Sequence, residues 1–181
     1  MNKHRPTIVL VGLMGVGKST VAWELAHTLG VPCLDTDKLI EQRVGKSVRD
    51  IFAEDGEQYF RERETDVLGE CLHSPDGAVI AAAGGVVVSE RNRQLLEEAS
   101  RQSEALVVWL TAPPEVLAER TSKGVHRPLL DGDRLGVLQK LTVERESLYK
   151  EVADMVIDVT ERSPESVVSL IVSAVEVSYD E

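Results

Sequence analysis

The feature that most constrains this chain is an apolar strand running straight into a glycine-rich turn and then a helix. Thr7–Val11 reads TIVLV, continuous and β-branched, the pattern of a strand buried on both faces of a parallel sheet. Gly12, four further residues and then Gly17-Lys18-Ser19 follow. Val21, Leu25, Ala26 and Leu29 then recur at helical spacing, and Gly30 ends the helix. Strand, glycine turn and helix in this order describe a phosphate-binding loop over residues 12–19. Glycines let backbone N–H groups approach phosphate oxygens, and the helix N-terminus adds a positive dipole end. In such loops the lysine, here Lys18, reaches the β- and γ-phosphates, and the hydroxyl, here Ser19, ligates Mg²⁺. The bland alternative, a glycine turn followed by a chance lysine, explains neither the full motif nor its context.

The rest of the chain alternates in the same way. Strand-like runs fall at residues 31–34, 78–83, 105–110 and 155–159. Helical stretches separate them. One begins near Lys38, one follows a capping box at Ser47 to Asp50, and one covers 57–72. Others run from Ser89 through Leu96, over 113–120 with a proline in the first turn, and over 133–152. Ser163-Pro164 caps and opens the last. Residues 121–133, TSKGVHRPLLDGD, read as a mobile loop. The pattern predicts one α/β domain over residues 1–181, a parallel sheet wrapped on both faces with right-handed crossovers. Ligands in such folds gather at the carboxyl ends of the strands. The residues there are 12–19, Asp35 to Asp37 and Gly84-Gly85.

Composition narrows the partners. With 43% hydrophobic but only 4% aromatic residues, the core is expected to be Val, Leu, Ile and Ala. The net charge of −11 repels phosphodiester backbones and anionic membrane surfaces, so neither nucleic acid nor membrane is an expected partner. Cys33 and Cys71 have no metal-ligand spacing and read as small reduced residues. The apolar run near the N-terminus is too short for a secretory leader, and no stretch is long enough to span a bilayer. A cytoplasmic protein is expected. No apolar stripe is left over, so a monomer is the default.

A phosphate loop does not name the acceptor. A regulatory GTPase would carry an Asn-Lys-x-Asp segment, which is missing, and the strand ALVVWL runs into Thr111-Ala112-Pro113 without the carboxylate of an ATPase motor. A small kinase fits better. Asp35 and Asp37 stand two apart at a strand end, a spacing that puts both carboxylates on one side of an extended chain. One carboxylate can hold metal-bound water while the other orients a hydroxyl. The competing reading, that Asp35 or Thr36 caps the next helix, is equally open on spacing alone. Arg61 and Glu64 in FRERE share a helix face, and Arg145 lies in RESLY. Both arginines read equally well as helix-surface charges.

Taken in order, GLMGVGKST, LDTDKLIE, FRERE, AGGVV, HRPLL, RESLY and TERSP resemble the shikimate kinase family over almost the whole length. The resemblance implies a P-loop fold of the nucleoside-monophosphate-kinase type. That fold is a three-layer α/β/α sandwich with a five-stranded parallel sheet, a substrate-binding region at about 35–64 and a lid at about 121–133. It implies transfer of the γ-phosphoryl of ATP, with Mg²⁺, to the 3-hydroxyl of shikimate, on the route to chorismate and the aromatic amino acids. By residue, it implies Gly15, Val16, Gly17, Lys18, Ser19 and Thr20 on the phosphates, and Asp35 assisting Mg²⁺ through water. Asp37, Arg61, Gly84 and Arg145 would hold shikimate. Asp37 would orient the hydroxyl, with proton acceptance as a second role. Arg127 would close over the transferring group, with Arg162 and Arg120 towards the adenine. The family's run of three glycines is Ala83-Gly84-Gly85 here, so the methyl of Ala83 either crowds the backbone or faces the core. A gluconate-kinase-like enzyme of the same fold and a non-catalytic nucleotide-binding relative are the rival readings.

Overall fold

The computed structural model describes residues 7–122 and 132–179. Five strands, β1 (Thr7–Val11), β2 (Cys33–Asp35), β3 (Ala78–Ala81), β4 (Ala105–Thr111) and β5 (Met155–Asp158), form one sheet in the order β2-β3-β1-β4-β5. Every pairing is parallel. Among the described residues eight α-helices connect and cover them: α1 (Lys18–Leu29), α2 (Thr36–Val44), α3 (Val48–Glu54), α4 (Gly56–Leu72), α5 (Glu90–Arg101), α6 (Pro114–Ser122), α7 (Arg134–Val152) and α8 (Pro164–Tyr179).

β1 lies in the middle of the sheet and is buried at all five positions, which is why its sequence is continuously apolar. α1 packs on α8, while α5 packs on both α4 and α7, so the sheet is the middle of three layers. Ile8, Val9, Leu10 and Val11 have no exposed surface. Burial stabilises side chains of this kind by roughly 1.5–3 kcal/mol each, and Leu10→Ala is expected to cost about 2–5 kcal/mol.

Capping residues set several boundaries. Ser47 accepts the Asp50 N–H, Ser89 the Asn92 N–H and Asp133 the Gly136 N–H, as expected of N-caps. Gly30 closes α1 in the left-handed conformation. Several boundaries differ from the sequence pattern, β3 ending at Ala81 rather than 83 among them. α2 begins at Thr36 rather than near Lys38, because Asp35 caps it. α5 runs to Arg101 rather than Leu96, carried by Ala99, which is 6% exposed. Thr121 and Ser122 belong to α6, their hydroxyls donating back to Leu117 O and Glu119 O. Residues 123–131 of the expected lid, Arg127 included, lie outside the described residues.

The chain leaves β1 for β2 on one side and later crosses β1 from β3 to β4 on the other. Strand order reverses there, and the loops after β1, β2 and β3 open on the same edge.

Candidate active site

Those three loops, with one face each of α4 and α7, line a cleft of ≈ 440 Å³.

The phosphate loop forms one wall. Gly12 has φ +141°, and a side chain there would run into the Leu110 carbonyl of β4, so only glycine lets the loop lie this close. Lys18 Nζ donates to Gly12 O at 2.6 Å and Leu13 O at 3.1 Å, folding along the inside of the loop. Gly15, Gly17, Ser19 and Thr20 face the cleft. The Val16 side chain does not. It is 3% exposed and packs beside Leu13, Leu110 and Leu117.

The second wall comes from the junction of β2 and α2. Asp35 Oδ1 accepts the Lys38 N–H at 3.2 Å, so this aspartate does cap the helix. It also lines the cleft, as does Asp37. The two readings of this pair are therefore compatible. The reason they converge differs from the extended-chain argument, because β2 stops at Asp35 and Asp37 sits in the first helical turn. Between them, buried Thr36 accepts the Ala83 N–H on Oγ1 at 3.0 Å, tying β2 to the end of β3. Ala83 itself is 8% exposed and lines the cleft. Burial pushes the Asp37 carboxyl up to about 6, aided by the negative charge of Asp35 and opposed by Lys18.

The third wall carries both arginines. Arg61 Nη1 donates to both Glu64 oxygens at 3.0 Å, and Nη2 donates to Glu57 Oε1 at 3.3 Å. Glu64 is fully buried, and burial raises its carboxyl while Arg61 lowers it. Its Oε2 also accepts from Asn92 Nδ2 at 3.2 Å. Asn92 in turn donates to Val86 O at 3.0 Å and accepts from Thr65 Oγ1 at 2.6 Å. A buried amide on α5 thus fixes the carboxylate that aims Arg61. On α7, Arg145 Nη1 donates to Gly84 O at 3.0 Å, and Tyr149 Oη, one turn later, donates to the same oxygen at 2.5 Å. Gly85 lies against the Arg61 guanidinium. The Gly84-Gly85 step therefore touches one arginine on each side.

A second cavity of ≈ 300 Å³ adjoins the phosphate loop and is lined by Gly15, Gly17, Thr20, Arg120, Arg162 and Pro164. Arg120 Nη2 donates to Val159 O at 2.8 Å, and Arg162 Nε to Asp158 O at 3.1 Å. Arg162 is thus placed away from the main cleft, on the far side of the loop, whereas Arg120 borders both spaces.

Lys18, Ser19, Asp35, Asp37, Arg61, Gly84 and Arg145, chosen from the sequence, all meet in one cleft. Asn92 and Tyr149 were not picked out, and Glu64 and Gly85, though noted in the sequence, were given no role. Glu64 and Tyr149 stand three and four residues after an arginine of the site, a helical spacing that hints at partnership. Asn92 comes from a different helix and has no such signal.

The cleft brings together the phosphate loop, two guanidinium groups and an aspartate whose burial raises its carboxyl to about 6. Residues 14–176 match the family model described as shikimate kinase. The shikimate kinase of Marinomonas sp. (strain MWYL1) is 41% identical over 173 residues, covering 94% of this chain and 92% of that one. That of Halorhodospira halophila (strain DSM 244 / SL1) is 44% identical over 170 residues, covering 93% of each. Among solved structures, the shikimate kinase from Acinetobacter baumannii in complex with shikimate superposes with a TM-score of 0.86 at 35% identity, covering 96% of this chain and 94% of that one. The match extends from inside the phosphate loop to the last helix, and the chain belongs to the shikimate kinase family.

Proposed function

We propose that the protein transfers the γ-phosphoryl group of ATP to the 3-hydroxyl of shikimate, releasing ADP and shikimate 3-phosphate. The observation that carries this reading is the single cleft joining the phosphate loop to Arg61 and Arg145.

A guanidinium grips a carboxylate with two parallel hydrogen bonds, fixing its direction as well as its charge. Arg61 and Arg145, one on each side of the Gly84-Gly85 step, suit a small hydroxy acid. With the acid end held there, the ring hydroxyls face Asp37 and the Gly84 backbone. Asp37 orients the reacting hydroxyl and takes its proton as transfer proceeds. A carboxyl near 6 is ionised in neutral solution and able to accept. The ATP phosphates lie over 15–20, where Lys18 neutralises charge on the β- and γ-phosphates. Arg120 and Arg162 border the cavity suited to the adenine end. Arg127, outside the described residues, is assigned to the closing lid, whose closure keeps water from the transferring group.

The Ser19 hydroxyl and the Asp35 carboxylate, both hard oxygen donors on this cleft, fit Mg²⁺, which takes one or two protein ligands and completes its shell with phosphates and water. Among the described residues no set of three His, Cys, Asp or Glu groups converges, as suits a metal carried in with the nucleotide. When bound, Mg²⁺ would supply charge neutralisation for the transferring phosphoryl group.

A monomer is the working form in this reading, since the loop, the aspartates and the arginines all come from one chain. No helix of the described residues is long and apolar enough to cross a membrane, and the cytoplasm, with its ATP, is the assigned compartment. Coupled detection of ADP with ATP, magnesium and either shikimate or gluconate tests the proposal. Shikimate-dependent release is expected. Release with gluconate alone would point to the rival sugar-acid kinase, and no release with either would point to a non-catalytic relative.

A further inference from the structure

Resting on the shikimate reading above, the geometry points to Tyr149 as a positioning residue that sets the grip on the substrate's carboxylate without touching it. Its hydroxyl shares the Gly84 carbonyl with Arg145 Nη1, at 2.5 and 3.0 Å. Arg145 and Tyr149 lie one turn apart on α7, so the two hydrogen bonds lock one face of that helix to the loop after β3.

Three features make this more than a packing contact. First, the shared oxygen belongs to the step between the two arginines. Its partner residue, Gly85, lies against the Arg61 guanidinium. In a trans peptide the Gly85 N–H points opposite to the Gly84 C=O, so fixing the carbonyl fixes the N–H as well. Any rotation of that peptide shifts the Arg145 anchor and the surface beneath Arg61 together.

Second, the phenol is built to stay a donor. Tyr149 is 1% exposed, and burial holds its hydroxyl well above the ordinary tyrosine range. The ring is stacked on Trp109 of β4, with centroids 5.6 Å apart and planes 19° apart, a packing contact made by the ring, while the hydroxyl is held separately by Gly84 O.

Third, the shared carbonyl limits Arg145. With Tyr149 Oη and Arg145 Nη1 both donating to Gly84 O, the two lone pairs of that carbonyl are shared between them, so the guanidinium's place depends on the same peptide that the phenol holds. Without the hydroxyl, the peptide is held from one side only and the guanidinium loses its fixed plane.

The test is Tyr149→Phe, which keeps the ring and removes the hydroxyl. KM is measured for shikimate, for shikimate methyl ester and for ATP, well below the melting midpoint. The hydroxyl's loss should raise KM for shikimate about tenfold. KM for ATP, kcat and KM for the ester should each stay within about twofold, so the preference for acid over ester falls. Trp109→Phe is the packing control: it should lower Tm and leave the acid-to-ester preference intact. Equal losses on acid and ester would overturn the proposal, as would a change in kcat alone or an equal effect of Trp109→Phe. A wild-type chain that releases no ADP with shikimate defeats the substrate reading instead. The two failures are thus told apart before any variant is made.

Discussion

Gly85 and Arg61 lie so close that a Cβ on Gly85 would stand 2.6 Å from both Nη1 and Nη2 of the guanidinium. Gly85 has φ −95°, which any residue adopts, so glycine is needed here for space and not for backbone conformation. The neighbouring Gly84 is different. A Cβ there would meet Gly12 O at 3.5 Å, an ordinary contact.

Gly85→Ala follows directly. The obstructing atoms are the end of a flexible side chain, so the fold can yield by moving Arg61. Stability should change by less than about 1 kcal/mol. KM for shikimate should rise at least about tenfold, because a displaced guanidinium loses its paired hydrogen bonds. Steady-state kinetics alongside thermal melting would check both halves.

Arg61→Lys keeps the charge and removes the fork. Lysine cannot reproduce the two-oxygen bond to Glu64 and a second grip on a carboxylate at once. KM for shikimate should rise by about 10- to 100-fold, while KM for ATP moves by less than about threefold. Equal effects on the two substrates, measured with each varied in turn, would remove Arg61 from the acid-binding role.

Asp37→Asn should trade activity for stability. The folded carboxyl is raised from 3.8 to about 6, so the native state binds this proton more tightly than the unfolded chain does. The cost of ionising Asp37 is absent below 3.8, grows between 3.8 and about 6, and is complete above. Removing the charge should therefore raise stability at pH 7.5 by about 1–2 kcal/mol. It should lower kcat by about 10²-fold or more. In the wild type, kcat/KM should fall as pH drops through about 6, when the carboxylate takes up its proton. Denaturant melts and a pH–rate profile test the two arms separately.

Lys18→Ala should leave the fold in place, because the Lys18 side chain bonds carbonyls of its own loop, Gly12 O and Leu13 O. Turnover should fall by about 10²–10³-fold, the loss seen when a donor to developing transition-state charge is removed. Circular dichroism and the ADP assay give the comparison.

The strands and the phosphate loop were legible because their causes are local. TIVLV is apolar throughout since both faces of β1 are covered, and Gly12 marks where the loop is pressed against the neighbouring β4. Resemblance picked out Asp37, Arg61 and Arg145, whereas spacing alone left them beside ordinary surface charges. The supports behind them were hidden. Asn92 reaches Glu64 from 28 residues away in sequence, and Tyr149 reaches Gly84 from 65. Such contacts depend on how helices pack on the sheet, and no periodicity within one helix encodes them. The junction at Asp35 was misplaced for a local reason: β2 runs Cys33–Asp35 rather than 31–34, and Asp35, as the cap of α2, starts the helix directly at the strand's end.

The stacking of Trp109 on Tyr149 gives the chain an internal optical reporter. It has 2 tryptophans, and they sit in opposite environments: Trp23 is 65% exposed beside His27, and Trp109 is 7% exposed. Blue-shifted emission that iodide cannot quench will come from Trp109, whose stacking partner hydrogen-bonds Gly84 at the cleft. In a Trp23→Phe background, titration with the acid substrate can then be followed by fluorescence at the back of the pocket, without a label.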